Sequence, residues 1–328
     1  MGMKGDDDDV TAPGPSGGSD LAVRRSGHPE VDAMREHRRL AVLGLVVVGL
    51  VGALTLGSFA AAVDEYGTKS IIPGITFTGG DGSYKRVVRE GIVLGISPDF
   101  PWSYQDEQTK EYKGLDVEIL KEATRRLGIT KVTYTIMPFD GLIPALIAKR
   151  IDVVAENIHE NPKRLAVIDF TGPAFFYGAG LATQRGNPKK ITSWDSLQGK
   201  ILGVIRGTLA QSIAEQIKGL KELKLYSASD TQFADLANGR LDAVLDDDIK
   251  NAKFIKDHPG INMELSPVLV PLSLQQGYAR YGIRRDDVDL NNAVSRAIAE
   301  MRVDSTMMKL IVQAGLPAWD MFNYALPR

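Results

Sequence analysis

The chain has 328 residues, 44% of them hydrophobic and 24% charged, and its formal net charge is −2. That composition fits a folded protein long enough for two domains, and the small net charge leaves no electrostatic footprint for nucleic acid. There are 0 cysteines and 4 histidines. Disulfides, thiolate metal sites, cysteine nucleophiles and a lipid-modified N-terminal cysteine are excluded, no histidine pair has metal-ligand spacing, and no metal or other cofactor is expected.

Residues 1–33 are rich in Gly, Pro, Ser and Asp and have no apolar period, so they read as a disordered extension or as an over-long start, with translation beginning at Met34. Met34 to Arg39 is basic, and Leu40 to Ala62 carries no charge and ends in small residues. Residues 34–62 therefore read as a signal peptide or an uncleaved membrane anchor, which places the remainder outside the cytoplasmic membrane, and 63–88 reads as a linker.

From Gly91 onward short apolar runs alternate with helical stripes. Strands are expected at Ile92–Ile96, Val132–Ile136 and Ile151–Ala155, with helices at Asp116–Leu127 and Leu142–Lys149. This is a βαβαβ series, and thus a mostly parallel sheet flanked by helices. The stretch Asp152–Phe176 is the centre of the pattern. A buried strand runs into the polar cluster Glu156, Asn157, His159, Glu160, Asn161, followed by Pro162, Lys163 and Arg164. Polar groups at a strand end facing one arginine suit a ligand site in an open α/β sheet, because a guanidinium binds a carboxylate through two parallel hydrogen bonds. After Gly180 the series repeats, with strands at Ile201–Ile205, Leu223–Tyr226 and Ala243–Leu245, helices at Ala210–Ile217 and Thr231–Asn238, and an acidic end at Asp246, Asp247 and Asp248. The strand Tyr278–Arg284 and helix Leu290–Met301 lack a sheet of their own and pack back onto the first lobe. The expected layout is lobe 1 from 89–178 and 271–328, lobe 2 from 179–270, and a ligand between the facing polar strand ends.

The order of these motifs resembles the extracellular solute-binding protein family 3, the polar amino-acid binding proteins of ABC importers. The resemblance runs from about Gly91 to Pro317. It is carried by Gly114–Ile119 (GLDVEI), Phe139–Leu146 (FDGLIPAL), Asp152–Arg164, Asp169–Thr171, the glycines at 199, 203 and 207 with Thr208, and Arg240–Asp247 (RLDAVLDD). It implies a type II periplasmic-binding-protein fold with two hinge crossings. It also implies capture of an amino acid or similar zwitterion by lobe closure, a permease partner in the inner membrane, and a monomer without enzymatic activity.

Carried over by position, Arg164 would grip the ligand α-carboxylate and Asp247 the α-ammonium, with Asp246 as a register-shifted alternative. Thr208 would add a hydroxyl and backbone N–H groups, and Phe100 and Phe139 would be aromatic walls, with Trp102 a third wall or a lid. Asn157, His159 and Glu156 stand where the family has small residues. In lysine/arginine-type members a first-loop Asp takes the cationic side chain; Ser97 occupies that place here, with Asp99 two residues on. Glu156 and Asp99 would make the pocket acidic and favour a cationic or zwitterionic solute. Two alternatives are an enzyme similar to cyclohexadienyl dehydratases, whose catalytic Glu position is held here by Lys250, and a membrane-tethered sensor.

Overall fold

A computed structural model describes residues 80–271, 274, 277–318 and 321. The expected extension 1–33 and the signal or anchor segment 34–62 lie outside the described residues.

The first sheet has strand order β4-β1-β5-β12-β6. Strands β1 (Ile92–Ile96), β4 (Val132–Ile136) and β5 (Val153–Ile158) run parallel, while β12 (Arg280–Ile283) pairs antiparallel with both β5 and β6 (Asp169–Phe170). The sheet is therefore a parallel centre with an antiparallel margin. Helix α1 (Ser83–Glu90) precedes β1, α2 (Leu115–Arg126) links β1 to β4, and α3 (Phe139–Ile147) links β4 to β5. α2 buries Leu115, Val117, Ile119, Leu120 and Ala123 on one face, and each such side chain contributes roughly 1.5–3 kcal/mol on full burial. Its first turn holds Asp116 and Glu118 and its last Arg125 and Arg126, matching the helix dipole. A short hairpin of β2 (Tyr104–Gln105) and β3 (Tyr112–Lys113) intervenes between β1 and α2. Gly114, at φ 119, ends it; a Cβ there would stand 2.3 Å from the Trp102 carbonyl oxygen, so the loop seats on the helix start only with glycine.

The second sheet has order β11-β7-β10-β8-β9. Strands β8 (Ile201–Ile205), β9 (Glu222–Tyr226) and β10 (Ala243–Asp247) are parallel, and β7 (Ala179–Thr183) runs antiparallel to β10 and to β11 (Glu264–Leu265). Its helices are α5 (Leu209–Ala214), α6 (Ser229–Ala237) and α7 (Asp248–Asp257); the one-turn α4 (Pro162–Leu165) belongs to the first sheet's lobe. Helices α8 (Val288–Val303) and α9 (Thr306–Gln313) return to that lobe, where Leu290, Val294, Ile298, Met301, Met307 and Ile311 share a core with α2.

Two crossings join the lobes, and they lie side by side. Phe176 and Tyr278 form an antiparallel bridge, Ala174 N–H donates to Ala279 O at 2.9 Å and Ala279 N–H to Phe175 O at 2.8 Å. The result is the two-lobed periplasmic-binding-protein architecture with two hinge crossings.

Three local expectations differ from the structure. Residues 83–88 are helical rather than linker: Tyr84 and Val87 are buried, Tyr84 Oη donates to Leu127 O at 2.8 Å and Arg86 reaches Asp152 at 2.7 Å. Two apolar anchors in eight residues are too few to show a period. Strand β5 continues through Glu156, Asn157 and Ile158, and β10 through Asp246 and Asp247, because Ser97, Asp116, Lys250 and Trp102 engage these polar side chains inside the lobes. Finally, α7 starts directly at the acidic run.

Candidate functional site

The carboxyl ends of β5 and β10 face each other across the cleft between the lobes. A small cavity of about 20 Å³ there is lined by Asp99, Phe139, Asn157, Ile158, His159 and Arg164 on one side and Thr208, Leu209, Asp246, Asp247 and Lys250 on the other, with Tyr177 at the crossing. That is room for about one water molecule, so an amino acid enters only when the lobes part.

Arg164 is placed by a one-turn helix. Asn161 caps it by accepting from Arg164 N–H at 2.9 Å, and Pro162 occupies the first turn. The guanidinium donates to His159 O at 2.6 Å and, across the cleft, to Gly207 O at 2.8 Å; it also lies 5.6 Å from the Phe139 ring centroid. It is 7% exposed, and among the described residues no carboxylate pairs with it. Burial pulls its pKa down to about 10.

On the opposite lobe Asp247 ends β10. Its Oδ2 accepts from Trp102 Nε1 at 2.8 Å, again across the cleft. Burial pushes its carboxyl well above the usual range, with Lys250 opposing the shift. Lys250, in the first turn of α7, sits 2.6 Å from Asp246 and 2.9 Å from Asp99. Burial works against its charge, but the carboxylates of Asp246, Asp99 and Asp247 outweigh that and raise its pKa.

Beneath the cavity lies a fixed polar layer. Asp116 accepts from Tyr281 Oη at 2.9 Å and from Asn157 N and Nδ2 at 3.0 and 2.8 Å, and burial pushes its pKa to about 7. Glu156 accepts from Ser97 N–H at 2.6 Å and from the Ser103 hydroxyl, and burial, reinforced by Asp116 and Asp99, raises it well above the ordinary value. His159 Nε2 meets Gly277 O at 3.1 Å, which requires an N–H there, and Nδ1 faces Tyr177 Oη at 3.1 Å. Burial and the nearby Arg164 hold its pKa down to about 3, so the ring is neutral at physiological pH.

Arg164, Asp247, Phe139, Asn157, His159, Asp99 and Thr208 are thus brought to one cavity. Three sequence-based expectations need correction. Phe100 is not a wall of this cavity; it faces a separate groove with Tyr104, 5.3 Å between ring centroids, and with Lys253 5.4 Å from its ring. Glu156 points into the lobe, where the Ser97 N–H and Ser103 hydroxyl hold it, and contributes no open charge to the pocket. Trp102 is fully buried, stacked 5.5 Å from Phe175, and acts through its indole N–H on Asp247 rather than as a lid. The Thr208 hydroxyl is engaged locally, donating to Ile205 O at 2.7 Å and accepting from Gln211 N–H at 3.3 Å as the cap of α5. Sequence reasoning missed Tyr177, whose hydroxyl meets Asn157 O and Oδ1 at 2.7 and 2.6 Å; its only signal was a place in the first crossing.

The sequence and the fold have counterparts among known proteins. The family model of the bacterial extracellular solute-binding proteins, family 3, matches residues 92–314. The histidine-binding periplasmic protein of Escherichia coli is 30% identical over 229 residues, 68% of this chain and 86% of that protein. The lysine/arginine/ornithine-binding periplasmic protein of the same organism is 31% identical over 227 residues, covering 67% and 86%. Among solved structures, a mutant of ArgBP from T. maritima superposes with a TM-score of 0.65 at 27% identity, over 71% of this chain and 99% of that one. Matching family profile, relatives of this identity and coverage, and two lobes with facing polar strand ends together establish that the chain belongs to the bacterial extracellular solute-binding proteins, family 3.

Proposed function

We propose that the protein captures an amino acid as its zwitterion outside the cytoplasmic membrane and presents the closed form to an ABC importer. One observation carries this: among the described residues, the buried guanidinium of Arg164 has only carbonyl hydrogen-bond partners, and it shares a cavity with a carboxyl on the opposite lobe, Asp247, to which no ammonium is bonded. A zwitterion supplies both missing partners, a carboxylate for the fork of Arg164 and an ammonium for Asp247. Because the two groups lie on different lobes, a solute touching both stabilises closure, which is a population shift toward the closed form. The histidine- and lysine/arginine/ornithine-binding relatives support an amino acid as the solute. Export by the segment 34–62, a permease partner and a monomeric state belong to the same proposal.

Binding rather than catalysis is favoured by Lys250. An ammonium held charged by two carboxylates at 2.6 and 2.9 Å is a poor general acid near neutral pH. The test is a thermal-shift screen of amino acids followed by calorimetry. A bound amino acid raises the melting temperature of the wild type, and Arg164→Lys and Asp247→Asn each weaken it by about a hundredfold, since a charge-assisted bond is lost. Unchanged affinity in both variants overturns the proposal, and turnover of prephenate or arogenate by the wild type replaces it with the dehydratase alternative.

A further inference from the structure

Lys250 is a buried cation whose protons are all taken by the protein itself. Its Nζ lies 2.6 Å from Asp246 Oδ1, 2.9 Å from Asp99 Oδ1 and 3.3 Å from Ser229 Oγ, and an ammonium has three donors and no acceptor. Ser229 Oγ in turn donates to Asp99 Oδ1 at 2.7 Å. Two carboxylates from opposite lobes therefore share one internal ammonium in the same cavity that Arg164 and Asp247 line. Nothing about the helix explains a lysine there. It stands in the first turn of α7, where the helix dipole disfavours a cation.

We propose that Lys250 is a specificity-determining residue: an internal substitute for a solute's side-chain cation, which restricts the cleft to amino acids with uncharged side chains. The inference rests on the amino-acid function proposed above. With Arg164 on the α-carboxylate and Asp247 on the α-ammonium, the carboxylates left in the cavity are Asp99 and Asp246, and each is already paired with Lys250 through its Oδ1. A lysine, ornithine or arginine side chain would bring a second cation beside one that already occupies Oδ1 of both carboxylates, so it would have to share or displace the partners of Lys250 and meet its like charge where water is excluded. A glutamate side chain would meet Asp99 and Asp246 and find no free proton on Lys250. Phe139, Ile158 and Leu209 add apolar wall beside the polar but uncharged Asn157, His159, Tyr177 and Thr208, and this lining suits an uncharged side chain. The acidic character expected from Asp99 is thus offset from within, by one ammonium against the two carboxylates.

The experiment is calorimetry of the wild type and Lys250→Ala against alanine, serine, glutamine, glutamate, lysine, ornithine and arginine. The wild type binds at least one uncharged amino acid at least about tenfold tighter than any of the charged ones. Lys250→Ala reverses the order by about tenfold or more in favour of the cationic amino acids, and added propylammonium, which refills the vacated corner, restores the wild-type order. A lysine that merely latched the lobes would weaken every ligand alike and leave the order unchanged, which overturns the proposal. So does a wild type that prefers arginine or lysine, although amino-acid binding itself then stands. If neither protein binds any amino acid, the function proposed above fails and this inference falls with it. If Lys250→Ala does not fold, the wild-type ranking decides alone.

Discussion

Gly207 shows how much a single residue decides in this cleft. Its φ is 80, and a Cβ would come within 2.9 Å of Asp140 Cβ and 3.1 Å of Asp140 Cα on the facing lobe, while its carbonyl accepts from Arg164. Alanine at 207 strains the turn and wedges the lobes apart. Gly207→Ala is expected to keep the circular-dichroism spectrum of the wild type but lose about tenfold or more in amino-acid affinity by calorimetry; equal affinity would show that closure tolerates the methyl group. At this scale the sequence was informative where a residue's surroundings are local. Arg164 stands out because a polar strand end, an Asn-Pro cap and a guanidinium follow one another within a few positions. The setting of Lys250 was hidden, since its partner Asp99 lies 151 positions away. Phe100 and Glu156 were misplaced for a related reason: an aromatic in a loop and a carboxylate at a strand end do not reveal which way they face until the neighbouring chain is laid beside them.

Among the elements, the strand–helix alternation was legible because β1 and β8 are apolar runs bounded by loops, β4 alternates apolar residues with threonine, and α2 has a full helical stripe. The short helix α1 and the hairpin β2–β3 were not, because their stability comes from contacts rather than from period. Asp152 shows the kind of contact involved. It accepts from Val93 N–H at 2.9 Å, Arg86 at 2.7 Å and Arg284 at 2.9 Å, tying α1, β1, the start of β5 and the end of β12 together. Burial works against its charge, but these donors outweigh it and lower its pKa. Asp152→Ala should reduce unfolding stability by about 2–3 kcal/mol in urea titration at neutral pH. The group's folded pKa is depressed, so its contribution is present above the unfolded value near 3.9 and is lost as pH falls through the folded one. The gap between variant and wild type should accordingly narrow in acid, and a gap independent of pH would assign the loss to packing alone.

For the molecule as a whole, the cleft floor sets an unusual acid response. Asp116 titrates at about 7 when folded, and Glu156, Asp246 and Asp247 are also raised by burial. Between the unfolded carboxylate value and these folded values the native state binds more protons than the unfolded chain, so stability falls as pH rises through that window. His159, depressed to about 3, acts in the opposite sense below pH 6.5, but one imidazole stands against Asp116, Glu156 and Asp247 together. Stability is expected to rise on acidification from about pH 8 to about pH 5, at up to about 1.4 kcal/mol per pH unit for each group that titrates alone. Asp116→Asn should flatten the slope near pH 7, and a melting temperature that climbs steadily from pH 5 to 8 would contradict the assignment. The paired crossings carry a mechanical consequence. The Phe176–Tyr278 bridge and its flanking backbone bonds make the two connectors a single ribbon, and sliding one lobe past the other would shear those bonds, whereas bending the ribbon spares them. The ribbon is therefore an axle: atoms beside it barely travel, and those at the end of the lever arm sweep the widest arc. Tyr177 with Asn157, and His159 with Gly277, sit at that axle, so their bonds outlast every swing, while those at the rim are remade on each one.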